Sequence, residues 1–400
     1  MSLFFARPAA PESRAVDPAE WIRGLDGSGK TKAGETVTAD RALKVDAMWS
    51  SVHLLASLIS NLPIDVFRGV GTDKTPVSPL PQFVQSPSLI VERQDWVYQA
   101  MVSLLLRGNA YGMVLARGAG QLPQTVEWLN PDDVTVEQRS SLRPPTYKVK
   151  QVEVPSADIV HLRAFTKPGS AIGLSPVQYR AETLGISLAA QGYGAGFYGG
   201  GGHPSAVFMN KDLPVIPDEQ AATIKARVSA AIRGKREPLV VGSGWSYQAL
   251  QVNPAEADFV NSMGYSDAAI ARMYGPGVAE VLGYQVSGSS LTYSNRVDRS
   301  LDLLTYTADP WVTKFNNFWT RSIARPQTAR INVNALLRSD PKTRHEMYLI
   351  DRQIGLYNID ELRALEDLSP LPDGAGQDYT PLKVKATNTT TPPGGSNVNQ

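Results

Sequence analysis

The sequence predicts an α+β fold with more than one lobe, and three observations carry this prediction. A helical pattern at residues 39–62 is followed by a second helix and a run of short strands. Farther along, two helical patterns that begin with proline flank an insert with strands of its own. The chain has 400 residues, which is too long for one ordinary hydrophobic core.

The first lobe follows an N-terminal arm, residues 1–37, which reads as mobile because it lacks any sustained period. Thr38 can cap the helix at 39–62, which Asn61-Leu62-Pro63 ends, and a strand is predicted at 64–68. The apolar stripe of this helix is Val45, Met48, Val52, Leu55, Ile59 and Leu62. A second helix at 95–107 ends at Gly108-Asn109. Strands are predicted at 111–116, 125–129, 134–138, 147–154 and 159–163. Residues 39–165 therefore form helices on one small, mostly antiparallel sheet.

The next helix is capped by Ser175, with Pro176 at its first position. It has two apolar stripes, so it needs two neighbours, and its glycines allow close backbone approach. The stripes are Val177, Ala181, Leu184 and Leu188, and Ile186, Ala190, Tyr193 and Phe197. The insert, 211–252, contains a predicted helix at 217–232 and a hairpin that joins 239–241 to 247–252.

The last third is predicted to be mostly helical. Asn253-Pro254-Ala255-Glu256 is a capping box for a helix that stops at Gly275-Pro276, and a glycine-serine loop follows at 283–290. Helical spacing then runs from Val297 to Phe318, where Pro310 must kink or split the helix. A further helix runs from Asp340-Pro341 to Gly355, and Asn358 with Glu361 forms a second capping box. Past Pro370 the polar composition predicts disorder.

Composition excludes several kinds of site. The chain has no cysteine, which rules out disulfides, thiolate metal sites and cysteine nucleophiles. No apolar run approaches about 18 residues, so neither a transmembrane helix nor a membrane partner is expected. The formal net charge is +1. Near-neutrality argues against a static DNA binder, because such affinity comes from neutralised phosphates, but it permits a surface past which DNA slides.

Residues 24–31 match the phosphate-loop pattern, which indicates either a nucleotide-binding site or a chance match in a flexible arm. Gly24-Leu25-Asp26-Gly27-Ser28-Gly29-Lys30-Thr31 fits the pattern, but that chemistry needs a buried strand before the loop and a helix after it. Neither is predicted here, so a flexible basic arm is the favoured interpretation. The histidines, His53, His161, His203 and His345, have no metal-ligand spacing, and no catalytic triad is evident. We therefore expect no enzyme activity, no cofactor and no metal.

Two groups of residues are candidates for contact with partners. Arg233, Lys235 and Arg236 form a basic cluster at the end of the insert helix, which is either a docking point or a solvated turn. Gln285, Ser287, Ser289 and Ser290 are short and uncharged, so they could touch phosphates without clamping them. The alternative for these four is a disordered surface loop.

A set of motifs in one order resembles the portal proteins of tailed bacteriophages, in the branch with long flexible non-contractile tails. The motifs are Val45-Asp46-Ala47-Met48-Trp49, Asn61-Leu62-Pro63-Ile64, Gly108-Asn109-Ala110-Tyr111, Leu129-Asn130-Pro131, Ile159-Val160-His161-Leu162-Arg163, Gly173-Leu174-Ser175-Pro176, Ile270-Ala271-Arg272-Met273-Tyr274-Gly275-Pro276, Leu337-Arg338-Ser339-Asp340 and Asn358-Ile359-Asp360-Glu361-Leu362-Arg363. Each motif alone is weak, but their order and spacing make the match strong. The usual Pro-Pro after Gly275 is absent.

The resemblance implies the phage-portal fold, in a ring of usually twelve copies at one capsid vertex. It would divide the chain into a wing (38–172), a stem helix (173–202), a clip (203–252), a second stem helix (253–276), a tunnel loop (277–291), a kinked helix and wing return (292–338), a crown (339–376) and a disordered tail (377–400). The basic cluster would lie in the clip, and the four polar residues would face DNA in the tunnel loop.

The same resemblance implies partners and a location. The partners would be copies of the chain itself, the large terminase, the head-tail adaptor, the major capsid and scaffold proteins, and double-stranded DNA. Assembly would occur in the host bacterial cytoplasm, and the product would be part of the virion. Two alternatives remain: a nucleotide-driven enzyme, which rests on residues 24–31, and another capsid or scaffold protein that forms shells.

Overall fold

The computed structural model describes residues 30–69, 73–138, 142–199, 206–210, 245–249, 266–284, 302–333, 341–366 and 368–381, with single residues between 218 and 226. The chain forms two compact units, Met1–Ile331 and Asn332–Gln400. The named helices of the first unit are α1 (Ala39–Ala42), α2 (Asp46–Ser60), α3 (Gln82–Gln85), α4 (Arg93–Arg107), α5 (Pro176–Tyr179), α6 (Ala181–Gly199), α7 (Val278–Val281) and α8 (Asp309–Arg321).

The strands are β1 (Ile64–Arg68), β2 (Thr75–Pro76), β3 (Asn109–Arg117), β4 (Pro123–Leu129), β5 (Val134–Glu137), β6 (Thr146–Val149), β7 (Val152–Val154), β8 (Ile159–Arg163), β9 (Ala206–Asn210), β10 (Trp245–Ala249) and β11 (Gln327–Ile331). They form antiparallel sheets in the orders β11-β1-β2, β4-β3-β8, β5-β6-β7 and β10-β9. The prediction of one small sheet in the first lobe was therefore wrong. The strand predicted at 147–154 is a hairpin, because Lys150 and Gln151 take positive φ values of 48° and 68°.

The predicted helix at 39–62 is divided into α1 and α2. Thr38 caps α1 as predicted, and Val45 then takes an extended conformation before α2 begins. The whole predicted stripe from Val45 to Leu62 is buried. It packs against α4, whose end is set by Gly108 in the left-handed conformation. Periodicity thus identified the buried face correctly but not the break between α1 and α2.

Aromatic side chains fill the core between α4, β4 and α8. Trp96 and Trp319 are fully buried, with ring centroids 5.4 Å apart, and Trp128 packs against Trp96 in a tilted arrangement with ring centroids 4.4 Å apart. The indole of Trp96 donates to the Val126 carbonyl oxygen at 2.7 Å. These contacts hold α4 and α8 in fixed positions beside the β4-β3-β8 sheet.

The helix around Pro310 widens rather than splits. A π-helical turn, Leu303–Ala308, leads directly into α8, with Pro310 in the first turn of α8. The amide of Asp309 bonds to the Leu304 carbonyl, five residues back. Because proline cannot donate a hydrogen bond and crowds the preceding turn, the wider turn accommodates Pro310 within a continuous helix.

The insert differs from the prediction in its pairing. The described partner of β10 is β9, residues that had not been predicted as a strand. The predicted hairpin partner at 239–241 lies outside the described residues. So does most of the predicted helix at 217–232, of which the isolated described residues are helical.

Two segments predicted to be mobile or disordered make defined contacts. In the N-terminal arm, Thr31 is buried and its Oγ1 donates to the Glu35 carbonyl oxygen at 3.0 Å, while the Lys32 amide bonds to Glu182. In the C-terminal region, the Leu371 amide donates to Asp360 Oδ1 at 2.8 Å. Tertiary hydrogen bonds therefore order residues 30–37 and 371–381, which local composition could not predict.

The second unit contains helices α9 (Pro341–Gln353) and α10 (Ile359–Leu365). Gly355, with a φ of 72°, ends the first, and the predicted capping box of Asn358 and Glu361 begins the second. Residues 368–381 run back along these helices: Arg352 Nη1 donates to the Thr380 carbonyl oxygen at 2.6 Å. Defined contacts therefore continue past residue 376, the predicted end of this segment, as far as Thr380.

Candidate functional site

The predicted partner-contact residues all lie outside the described residues. They are Arg233, Lys235 and Arg236 in the insert, and Gln285, Ser287, Ser289 and Ser290 in the glycine-serine loop. Their roles stay predictions. The candidate site that the structure does describe is the junction where the sheets meet two helices of the first unit. The first long helix consists of α5 and α6 in succession, and the second helix is described at residues 266–272.

Asn109, at the start of β3, is the centre of this junction. Its Oδ1 accepts the Gly173 amide hydrogen at 2.7 Å, and its Nδ2 donates to the Gly173 carbonyl oxygen at 2.9 Å. Nδ2 also donates to the Arg107 carbonyl oxygen at 3.0 Å. The buried amide thus joins the end of α4 to the segment that begins the long helix.

His161, on the neighbouring strand β8, completes the network. Its Nε2 lies 3.0 Å from Asn109 Oδ1, and its Nδ1 lies 3.1 Å from the Tyr147 hydroxyl. Because Asn109 Oδ1 can only accept, Nε2 carries the hydrogen and Nδ1 accepts from Tyr147. Burial, aided by the nearby charge of Arg163, lowers the pKa of His161 to about 3. The ring is therefore neutral at physiological pH.

Two glycines let the three segments approach closely. A Cβ on Gly108 would lie 2.0 Å from the Leu174 carbonyl oxygen, and one on Gly173 would lie 2.1 Å from the Gly108 carbonyl oxygen. Ser175 caps α5 and also donates to the Leu106 carbonyl oxygen at 2.9 Å. The first long helix is thereby fixed to α4 at its first residue.

The second helix is anchored at its C-terminal end. Its described part is helical from 266 to 272, and the following Tyr274 donates its hydroxyl to the Leu105 carbonyl oxygen at 2.9 Å. Burial raises the pKa of this tyrosine. Thr307 Oγ1 donates to the Pro276 carbonyl oxygen at 2.7 Å, and Gly275 packs directly against Thr307. Both helices are thus attached to neighbouring carbonyl groups near the end of α4, those of Leu106 and Leu105.

The first long helix and the second helix touch beside the junction. Ser187 and Ser266 are both buried, with their hydroxyl oxygens 2.6 Å apart. The first predicted stripe of the first long helix, from Val177 to Leu188, is buried, but Ile186 and Tyr193 of the second stripe are 57% and 63% exposed. Among the described residues, no atom outside the helix lies within 4 Å of a Cβ position at Gly192 or Gly196. This face is shaped for close approach by another chain.

The described end of the phosphate-loop match does not have the geometry that nucleotide binding requires. Lys30 pairs with Thr36 in an isolated bridge, a turn follows, and the first helix begins at Ala39. The Thr31 side chain, which would face magnesium in a phosphate loop, packs against Gly185 instead. Residues 24–29 lie outside the described residues.

Within the described part of the chain, no three histidine, aspartate or glutamate side chains are grouped to hold a metal ion. Among the described helices, none is long and apolar enough to cross a bilayer.

Sequence reasoning found the motifs of the junction but missed that they meet. The segments around Asn109, His161, Gly173 and Tyr274 are far apart in the sequence. Tyr274, for example, lies 169 residues from its partner Leu105. Each carries a local signal, such as a glycine after a helix or a serine before a proline. Their convergence depends on strand pairing, for which a single sequence gives little signal.

Comparison with known proteins gives one consistent result. The sequence model described as phage portal protein matches residues 46–367. The chain is 28% identical to the probable portal protein of Streptomyces phage phiC31, over 96% of this chain and 88% of that protein. It is 24% identical to the portal protein of Enterobacteria phage HK97, over 88% of this chain and 86% of that one.

Solved structures with the same fold carry similar descriptions. One is a crystal structure of an HK97-family phage portal protein from Corynebacterium diphtheriae, with a TM-score of 0.59 and 15% identity, covering 77% of this chain and all of that one. Another is the neck of a native gene transfer agent particle, computed with C12 symmetry. It has a TM-score of 0.55 and 16% identity, covering 91% of this chain and 98% of that one.

Proposed function

Since this chain belongs to the phage portal protein family, we propose that its copies form a ring of twelve at one capsid vertex. Double-stranded DNA enters the capsid through the channel of this ring and leaves by the same route. The family match, which spans most of the chain, carries this proposal. The C12 symmetry of the similar neck structure supports the number of copies.

The junction explains how such a ring keeps its shape while DNA moves. Asn109 and Ser175 fix the first long helix to α4, and Tyr274 fixes the second to the same region. Two helices fixed at adjacent points cannot slide independently, so a load on the channel passes into the sheets and the buried aromatic core. The open Ile186–Gly196 face of the first helix is available for the neighbouring subunit.

The division of the chain follows the family arrangement. In this proposal residues 38–172 with 292–338 form the wing, 173–202 and 253–276 the stem helices, 203–252 the clip, 277–291 the tunnel loop and 339–376 the crown. Arg233, Lys235 and Arg236 would dock the large terminase and later the head-tail adaptor, because clustered charge steers association. Gln285, Ser287, Ser289 and Ser290 would face the DNA.

The role of the ring in the virion follows from these positions. Major capsid and scaffold proteins would surround it during assembly in the bacterial cytoplasm. Near-neutral charge suits a conduit, since many tight phosphate contacts would hold the DNA in place. The portal family is structural, and no step of this proposal requires catalysis by the chain itself.

Two experiments test the proposal. Capsids assembled with the full chain should protect DNA from nuclease, and capsids assembled without it should stay empty; equal protection in both would contradict the portal role. Negative-stain images of the purified chain distinguish closed rings from the shells of a capsid protein. Hydrolysis of ATP by those rings would instead favour the nucleotide-driven alternative.

A further inference from the structure

A groove runs between the second half of α4 and the end of β4. Its volume is about 340 Å³, which is small for a ligand site. Most of its lining is apolar, including Tyr98, Val102, Leu106, Trp128, Leu129 and Pro131. Tyr98, Val102 and Trp128 are only partly buried, so the groove presents an open apolar surface beside the junction.

Hydrogen bonds within the chain fix the two aromatic side chains of this groove. The indole N–H of Trp128 donates to the Trp96 carbonyl oxygen at 2.8 Å, and the Tyr98 hydroxyl lies 3.1 Å from Nδ1 of His53. Both rings are therefore held in place before any ligand binds. Grooves lined by fixed aromatic side chains recognise proline-rich segments, because a polyproline II helix is already ordered and loses little entropy when it docks.

The length of the groove limits the size of the ligand. The α4 residues that line it run from Tyr98 to Arg107, nine residues apart, which is about 14 Å along the helix axis. A polyproline II helix rises about 3.1 Å per residue, so about five residues occupy this length. Prolines three residues apart lie on the same side of such a helix, because it has about three residues per turn. The groove therefore fits a short segment with that proline spacing.

The chain contains a segment of this kind ahead of its first described residue. Arg7-Pro8-Ala9-Ala10-Pro11 has two prolines three residues apart. Beside the groove, Arg107 pairs with Asp132, and these side chains are 27% and 58% exposed. Because the carboxylate is the more exposed of the two, the charge offered to a ligand here is negative, which complements Arg7.

The position of residue 31 brings this segment within reach of the groove. Thr31 packs against Gly185, ten residues along the first long helix from Ser175, a distance of about 15 Å. Ser175 in turn donates to the carbonyl oxygen of Leu106, which lines the groove. The 20 residues between Pro11 and Thr31 can extend over about 66 Å, several times the distance required.

We propose that Arg7–Pro11 docks in the groove of its own chain as a polyproline II helix. The N-terminal segment is then attached at two places, to α6 through Thr31 and to α4 through the prolines. It spans the junction from outside and adds a second connection between α4 and the first long helix. This inference concerns the single chain and does not depend on the proposed ring.

Cross-linking in the full chain tests where the segment lies. The chain has no cysteine, so Ala10→Cys combined with Gln99→Cys introduces one thiol in the segment and one at an exposed position of the groove. The control combines Ala10→Cys with Thr313→Cys, an exposed position on α8 that does not line the groove. With a short bismaleimide, the first pair should link within one chain at least about tenfold faster than the control, because docking raises the effective concentration of the two thiols. Equal rates would overturn the proposal.

Proline substitutions test whether the groove recognises the segment. Pro8→Ala and Pro11→Ala, added together to the first pair, should lower its cross-linking rate to that of the control, and Pro18→Ala should leave the rate unchanged. An unchanged rate without Pro8 and Pro11 would overturn the proposal. Links formed mainly between chains, separated by denaturing electrophoresis, would assign the groove to the segment of another copy and would also overturn it. A monomeric chain gives the same readouts, so failure of the proposed ring is a separate result.

Discussion

Asn109 and Gly173 lie 64 residues apart in the sequence and are joined by two hydrogen bonds. The side-chain amide of Asn109 bonds to both the N–H and the C=O of Gly173, much as a paired strand would. This relationship fixes the entry to the first long helix, which would line the channel in the proposed ring. Substitutions in the junction therefore test directly how the first long helix is held.

Replacement of Asn109 by alanine should destabilise the chain by about 2–4 kcal/mol, because the amide and carbonyl of Gly173 and the ring of His161 lose buried partners. Urea unfolding of the full chain measures this. Asn130→Ala is the control, since Asn130 only caps an exposed turn. That variant should cost about 1 kcal/mol. If Asn109→Ala lowers the free energy of unfolding by less than the control does, the hydrogen bonds of Asn109 do not stabilise the junction as described.

His161 should make stability depend on pH in acid. Its pKa is about 3 in the folded chain against 6.5 for the unperturbed group, so the unfolded chain binds the extra proton. Stability is then fully present above pH 6.5 and falls as the pH drops toward 3. His161→Gln should flatten this part of the profile. Parallel profiles for His161→Gln and the unmodified chain between pH 6.5 and 4 would exclude this explanation.

Alanine substitutions at two glycines should have opposite effects on folding. Gly173→Ala would put a Cβ 2.1 Å from the Gly108 carbonyl oxygen, so the junction must open and soluble, folded protein should be lost. At Gly192 no described atom outside the helix lies within 4 Å of a Cβ position, so Gly192→Ala should keep the chain folded and stabilise the helix by about 0.5–1 kcal/mol. Circular dichroism and yield of soluble protein measure both. If both variants give equal yields of folded protein, the backbone at Gly173 does not approach Gly108 as closely as the structure shows.

Added positive charge in the glycine-serine loop should leave ring assembly unchanged but slow the packaging of DNA. Lysine at Gln285, Ser287 and Ser289 together would put three positive charges per subunit on the proposed DNA-facing loop. Each phosphate contact adds salt-dependent affinity, so packaging should slow or stall and recover partly at higher salt. Ring formation should be unchanged. Packaging at the normal rate in low salt would place the loop away from DNA.

Local features of this fold could be predicted from the sequence, and long-range ones could not. Thr38, Ser175 and Asn358 cap helices as predicted, because capping depends on neighbouring residues alone. The pairing of β1 with β11 joins residues 64–68 to 327–331, and no local pattern encodes it. The order of residues 371–381 depends likewise on Asp360 and Arg352. For the same reason, the junction motifs were visible singly but not as one site.

The mass of the purified assembly tests the central claim most directly. Native mass spectrometry of the full-length protein should give a closed particle of about 520 kDa, twelve chains of 43.3 kDa each. A ring channel requires such a closed assembly, since a heterologous interface that does not close gives open filaments. A particle at that mass supports the portal account. A stable monomer of 43.3 kDa at micromolar concentration, or large shells of no fixed copy number, would contradict it.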